Sequence, residues 1–352
     1  MNVLMVGVDE STKGGMWTVV ENYLNDTEFV KRNNLVYIPT SITCCPILNK
    51  LIFTAKAYLK IIVAYRKTRF DILHVHMSER FSINRKGIVM SYAKKRGTKI
   101  VLHMHGAEFE VLYKQMTSEK QKSVRDILNM ADKILILGRY WSEFIGSLVD
   151  DPSKVVVVYN AVPVPKTYEY NQRSKTILFL GAVSKRKGKE ILLEALKKKA
   201  TVLSKDFNVK IYGPDVDANI VRLIEENGLS SWVKYCGWLG KDEKAGVLKT
   251  TAINVLPSYN EGLPMTILEA MSYGIPSITT SVAAIPEAVN SENGVVVTPG
   301  SVDELADALE KICIDEKHRF ELSKRAYEDA VNIFSVEKHI AQIQSIYEEI
   351  IK

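Results

Sequence analysis

Ala252 to Pro276 reads AINVLPSYNEGLPMTILEAMSYGIP, and within these residues the hydrophobic period changes. Ala252–Leu256 is a short β-rich apolar run, the pattern of a strand. Pro264 suits the first turn of a helix, where a missing N–H is no loss, and another strand is expected at Pro276–Thr279. The amides near Leu263 to Thr266 then point unpaired beyond the strand end, where the helix dipole favours an anion such as phosphate. Glu261 stands in the loop before the helix and Glu269 within its first two turns. One carboxylate can therefore face a reacting group while the other reaches a hydroxylated ligand deeper in the domain. On spacing alone, two solvated surface acids fit equally well.

Outward from this segment the same alternation fills the chain, the signature of βαβ units around parallel sheets. In the first half, strands are expected at Asn2–Val8, Asn34–Ile38, Asp71–His76, Lys99–His103, Lys133–Leu137 and Lys154–Val158. Helices are expected between them, near Met16–Asn25, Asn49–Thr68, Asn84–Arg96, Ser118–Met130 and Arg139–Leu148. After Asn160 the pattern lapses into AVPVPKTYEYNQRSK, whose prolines and polar run read as an interdomain linker. It restarts with strands at Thr176–Leu180, Asn208–Tyr212, Val233–Cys236, Ala252–Leu256, Pro276–Thr279 and Gly294–Val297, and Ser301–Lys352 is almost wholly helical. The expected fold is α/β, with two Rossmann-like doubly wound domains facing across a cleft. These are residues 1–165 and 166–334, followed by a last helix over 335–352. Ligands of such folds bind beyond the carboxyl ends of the strands.

Composition bounds the function. The 352 residues correspond to about 2.3 domains at roughly 150 residues each. Hydrophobic residues at 46% and charged residues at 25% exclude disorder, collagen and a coiled-coil rod. The start MNVLMVGVDE reads as a buried strand and not as a secretion signal. No run reaches the ~18 apolar residues of a membrane span; Leu51–Tyr65 comes nearest and is interrupted by Lys56 and Lys60. Cys44, Cys45, Cys236 and Cys313 show no CxxC spacing, which fits core thiols in a reducing cytoplasm.

Histidine is unevenly placed. His74 and His76, then His103 and His105, form two H-x-H pairs at the ends of two strands, and residues two apart share a face of a strand. A metal site is conceivable, but no Cys or carboxylate cluster with ligand spacing accompanies them. Packing residues are the expected role of His74 and His103, and no metal is assigned.

The segment around Glu261 and Glu269, with EGLP and EAM in register, resembles the E-x7-E motif of the retaining glycosyltransferases of family 4. The resemblance covers nearly the whole chain. STKGGMWTVVENYL (Ser11–Leu24) is similar to the family's glycine-rich loop, with Gly14 and Gly15 letting backbone approach a ligand. FLGAVSKRKGKEILLEAL (Phe179–Leu196) is similar to its G-x5-K-G segment, with Gly181, Lys187 and Gly188 in place. Here the chain departs from the pattern, because Ala182 stands where the family usually has arginine, and Lys185 or Arg186 could supply that charge from another backbone position. HMHGAEF (His103–Phe109) resembles the family's His-Gly segment, and VKYCGWLG (Val233–Gly240) falls where the nucleobase would lie.

What the resemblance implies is a GT-B fold whose last helix crosses back to the first domain, and a retaining sugar transfer that needs no metal or other cofactor. Gly15, Lys187, Gly262, Leu263, Pro264, Met265 and Glu269 would bind the donor, Glu269 through its ribose hydroxyls. Arg186 would add a diphosphate contact. Glu261 and His105 would work at the transferred sugar. The donor is expected to be a nucleoside diphosphate sugar, on family frequency a UDP-sugar, and the acceptor a hydroxyl of a lipid-linked glycan in surface polysaccharide assembly. Ala182 keeps open a second reading, a non-catalytic nucleotide-sugar-binding subunit that supports a partner transferase.

The net charge of +6 is unevenly divided. Residues 1–165 hold 23 Lys and Arg against 15 Asp and Glu, a balance of +8, and residues 166–352 hold 24 against 26, a balance of −2. No acidic residue occurs from Phe29 to Phe70 or from Arg80 to Ala107. In the first interval NKLIFTAKAYLKIIVAYRKTRF sets Lys56, Lys60 and Lys67 on one helical face among aromatics. Basic amphipathic helices with interfacial aromatics lie on anionic membranes, so a cytoplasmic protein bound peripherally to the inner membrane face is expected. No nucleic-acid-binding motif is present, and nucleic acid is not an expected partner.

Overall fold

The computed structural model describes residues 1–12, 14–43, 46–78 and 82–352. Contacts divide it into two compact units, Met1–Asn160 with Val336–Lys352, and Ala161–Ser335.

The first unit is built on strands β1 Val3–Val8, β2 Val36–Ser41, β3 Ile72–Met77, β4 Lys99–Met104, β5 Lys133–Ile136 and β6 Val155–Val157. All are parallel, in the order β2-β1-β3-β4-β5-β6. Covering helices are α1 Gly15–Asn25, α2 Thr27–Arg32, α3 Ile47–Lys67, α4 Ser82–Lys94, α5 Phe109–Lys114, α6 Ser118–Asn129 and α7 Ser142–Gly146. β1 and β3 are buried almost throughout, as central parallel strands must be when helices cover both faces. A 3-10 turn, Arg139–Trp141, precedes α7 where one continuous helix was expected.

The second unit repeats the plan with β7 Thr176–Leu180, β8 Asn208–Tyr212, β9 Val233–Gly237, β10 Ile253–Leu256, β11 Ser277–Thr280 and β12 Gly294–Val297. Its parallel order is β12-β11-β10-β7-β8-β9. The helices are α8 Lys189–Lys198, α9 Ala200–Leu203, α10 Ile220–Glu226, α11 Lys241–Lys249, α12 Met265–Ser272, α13 Ile285–Ala288, α14 Val302–Ile314 and α15 Glu316–Asn332. Side-chain oxygens of Ser301 and Asp315 accept from the amides of Glu304 and His318 and so cap α14 and α15, each cap contributing about 1 kcal/mol. Both sheets are thus doubly wound. Strand order reverses between β1 and β3 in one and between β7 and β10 in the other, and such switch points are where open α/β sheets bind ligands.

The last helix, α16 Val336–Ile351, belongs to the first unit. It is fastened by buried polar contacts. Asn33 donates to Gln344 at 2.9 Å, Tyr347 Oη lies 2.6 Å from His74 Nδ1, and His339 lies 2.5 Å from Tyr23 Oη and 2.8 Å from the Tyr159 carbonyl.

Three readings of the sequence need correction. The stretch after Asn160 is no free linker: Val162 pairs with Ser335, Tyr327 donates to the Pro165 carbonyl at 2.7 Å, and Tyr170 donates to the Ala252 carbonyl at 3.0 Å. Its tyrosines are straps onto the second unit, and the division of contacts falls at Asn160. Lys86, which falls in the second acid-free interval and so reads as part of a basic surface, is 1% exposed. On α3 the outer face is apolar as well as basic: Ile47 is 79% exposed and Leu48, Leu51 and Leu59 are each 63% exposed. No described helix is long and apolar enough to cross a membrane. Cys313 is buried and Cys236 half-buried, while Cys44, Cys45 and Arg80 lie outside the described residues.

Candidate active site

Two loops leave the neighbouring strands at the second unit's switch point. One runs from β7 through Gly181 to Gly188 and into α8; the other runs from β10 through Pro257 to Pro264 and into α12. Backbone joins them, because Tyr259 N–H donates to the Arg186 carbonyl at 2.8 Å. The Arg186 guanidinium donates in turn to the Asn260 carbonyl at 2.6 Å. Gly188 has φ +77°, and a Cβ there would lie 2.1 Å from the Pro257 carbonyl oxygen. Only glycine permits this approach.

The approach brings together residues far apart in sequence. Glu261 is 5% exposed; its Oε1 accepts from Ser258 Oγ at 2.7 Å and lies 2.5 Å from Lys187 Nζ. Its Oε2 lies 3.6 Å from Arg186 Nη1. A carboxylate this buried is tolerated because it is paired and hydrogen-bonded. Sequence reasoning singled out all three charged residues but not Ser258, whose small hydroxyl carries no distinctive pattern.

Helix α12 starts at Met265, with Pro264 as its extended cap residue, and no side chain caps it. Pro264 therefore lies just outside the first turn in which the sequence placed it. The Thr266 hydroxyl in its first turn is buried with no partner. Gly262 is half-buried, and Leu263 and Met265 are buried beside it.

Glu269 lies one turn further along α12. Its Oε1 accepts from Lys244 Nζ of α11 at 2.7 Å, and its Oε2 is buried without a partner. Burial holds this carboxyl above the ordinary carboxylate range, with Lys244 opposing the shift. An unpaired buried oxygen costs about 1–3 kcal/mol, and a ligand hydroxyl placed against it would remove that penalty. Lys244 had no signal in the sequence beyond its charge.

Gly15 and His105 belong to the first unit. Gly15 opens α1 behind Gly14, whose φ of +145° favours glycine. His105 follows β4, half-buried, with Nε2 2.9 Å from His76 Nδ1. Burial, aided by His339, lowers its imidazole to about 3, so the ring is neutral at pH 7. Behind it His74, His76 and His103 are fully buried, and burial holds all three well below the ordinary histidine range. Ring nitrogens of these three lie within 4.8 Å of one another. The His74 and His76 rings, however, stack at 4.5 Å with 17° between planes, which sets their in-plane lone pairs side by side instead of converging on one ion.

Known proteins resemble this chain in sequence and fold. Residues 20–165 match the family model described as Glycosyltransferase Family 4, and residues 164–329 match that described as Glycosyl transferases group 1. An uncharacterized 41.2 kDa protein in the cps region of Klebsiella pneumoniae is 27% identical over 82% of this chain and 84% of its own length. The UDP-Gal:alpha-D-GlcNAc-diphosphoundecaprenol alpha-1,3-galactosyltransferase of Escherichia coli is 25% identical over 84% of this chain and 80% of its own. Among solved structures, a sucrose-phosphate synthase from Thermosynechococcus elongatus superposes with a TM-score of 0.80 at 17% identity, covering 99% of each chain. With both units accounted for, by two family models that run on from one another and by paired doubly wound sheets, the chain belongs to glycosyltransferase family 4 and has the GT-B fold.

Proposed function

We propose that the protein transfers a sugar from a nucleoside diphosphate sugar to a hydroxyl of a lipid-linked glycan acceptor, with retention at the anomeric carbon. The observation that carries this reading is the pairing of Glu261 with Lys187 and Arg186 beside the uncapped start of α12. It joins a carboxylate for the sugar to positive potential for a diphosphate in one place. UDP as carrier and a polyprenyl-diphosphate-linked acceptor are suggested by the name of the E. coli relative. Surface polysaccharide assembly is suggested by the cps region of the Klebsiella relative.

In this reading Glu269 Oε2, now unpaired, accepts from the ribose hydroxyls. The backbone from Gly262 to Met265 holds sugar and phosphates. Lys187 and Arg186 stabilise the charge that develops on the departing diphosphate, and Arg186 offsets the loss of positive charge at Ala182. Released by the phosphates from the Lys187 contact, Glu261 stabilises positive character at the anomeric carbon. The bond from the anomeric carbon to the diphosphate breaks, the acceptor oxygen bonds on the same face, and the acceptor proton passes to a departing phosphate oxygen. Since protein groups carry the diphosphate charge, turnover is expected to persist in chelator. The silent-subunit reading finds no support among the matches.

The exposed apolar stripe of α3, flanked by Lys56, Lys60 and Lys67, supports peripheral attachment to an anionic membrane. The test of the whole reading is transfer from UDP-sugars to a diphosphate-linked acceptor, with the product's anomeric configuration read by NMR. Retention of the donor configuration is expected; inversion, or no transfer from any nucleoside diphosphate sugar, would contradict it.

A further inference from the structure

The first unit holds a cationic pair that the reading above leaves unused. Lys86 of α4 is 1% exposed. Its ammonium donates to the Gly7 carbonyl of β1 at 3.2 Å and to the Thr40 hydroxyl of β2, which places it at the carboxyl ends of the strands beside the switch point. Next to it in sequence, Arg85 is partly buried between α4 and α3, where Tyr58 donates to its carbonyl at 3.0 Å. The Arg85 Nε is buried with no hydrogen-bond partner.

Neither cation forms an ion pair with a described residue. The sequence explains why: α3 and α4 both fall in the intervals that contain no Asp or Glu. Buried charges are otherwise paired, and here burial lowers both groups, while the Arg85 guanidinium lowers Lys86 further. Of these two cations, adjacent in sequence, Lys86 is enclosed at the carboxyl ends of β1 and β2, next to the switch point between β1 and β3, and an open α/β sheet binds its ligand at such a point. What the place lacks is an anion.

We infer that Arg85, with the enclosed charge of Lys86 next to it, forms a phosphate subsite for the acceptor, taking the diphosphate through which its glycan is carried. The subsite adjoins α3 through Tyr58, and α3 carries the exposed apolar stripe. A diphosphate held there would have its lipid beside the helix assigned to the membrane. This inference rests on the lipid-linked acceptor proposed above.

Pyrophosphate is the probe, titrated with saturating UDP present so that the donor site in the second unit is already filled. Wild-type protein is expected to bind it, and R85Q to bind it at least tenfold more weakly with its UDP affinity unchanged. K86M, similar in length but uncharged, keeps the test valid if R85Q folds poorly, with the thermal melt as control. In transfer assays R85Q is expected to raise the KM for a short-chain diphosphate acceptor at least tenfold while leaving the KM for donor within twofold. Vesicles containing phosphatidylglycerol separate the two phosphate sources: equal binding by wild type and R85Q assigns the subsite to the acceptor. Weakened vesicle binding with an unchanged acceptor KM would overturn the assignment, as would pyrophosphate binding that R85Q leaves intact. Failure of UDP to bind at all would instead refute the donor reading.

Discussion

Lys187 Nζ stands 2.5 Å from Glu261 Oε1, with the two side chains only 11% and 7% exposed. They come from loops at the ends of two different strands, and each is the other's main reason for tolerating burial. Breaking a buried pair by removing one partner costs about 3–5 kcal/mol because the remaining charge is stranded. Lys187→Met is therefore expected to destabilise the second unit by about 3 kcal/mol, the lower end because Arg186 remains 3.6 Å away. The double variant Lys187→Met with Glu261→Gln should recover most of that loss. Urea unfolding of the four proteins checks this, and additive losses would contradict it.

Glu269 is predicted to separate binding from stability. Because the folded state raises its carboxyl, this group opposes folding at neutral pH, and that opposition disappears as pH falls below the ordinary carboxylate range. Glu269→Gln keeps an acceptor for Lys244 and removes the buried charge. Its melting temperature at pH 7 should match or exceed that of the wild type, while affinity for the donor nucleotide falls at least tenfold, about 1.4 kcal/mol. Calorimetric titration and thermal melts read the two quantities independently.

Acid should unfold the first unit steeply. His74, His76, His103, His105 and His339 are all lowered by burial, His105 to about 3 and His339 to about 4. Groups lowered in the folded state but ordinary near 6.5 when unfolded contribute full stability above that value and lose it as pH falls. Each can contribute up to about 1.4 kcal/mol per pH unit. Urea midpoints followed from pH 7.5 to pH 4 should therefore drop sharply below pH 6.5, with a gentler drop in His339→Asn. A flat profile would contradict the neutral cluster.

The proposed attachment through α3 predicts that Leu51→Gln with Leu59→Gln weakens sedimentation with anionic vesicles without lowering the melting temperature, because both side chains are 63% exposed. Lys56→Glu and Lys60→Glu should each weaken it further, by about 1 kcal/mol per charge removed near the surface, and this part should fade in high salt. Vesicle binding that is indifferent to all four substitutions would place the contact elsewhere.

Strands were the most legible part of the fold, because buried parallel strands such as β7, TILFL, are nearly continuous apolar runs with no competing periodicity. The two charged ends of the site were legible for a different reason: Lys187, Glu261 and Glu269 stand in segments that resemble the family's motifs, whereas spacing alone fits solvated surface acids equally well. Partners supplied by other elements were not. Lys244 reaches Glu269 from α11, and Lys86 turns inward to β1 and β2; both depend on tertiary packing that charge alone does not signal. Tyr168 and Tyr170 likewise sat in a polar, proline-containing stretch that reads as linker, although their hydroxyls bond to Ser323 and the Ala252 carbonyl.

The most direct test is a calorimetric titration of the purified protein, with chelator present, against UDP, GDP, ADP and NAD. The account predicts that one nucleoside diphosphate binds selectively, that NAD does not, and that Glu269→Ala weakens the binding at least tenfold. Binding of none of them, or equal binding by wild type and Glu269→Ala, would contradict the donor site built on Glu261, Lys187 and Glu269.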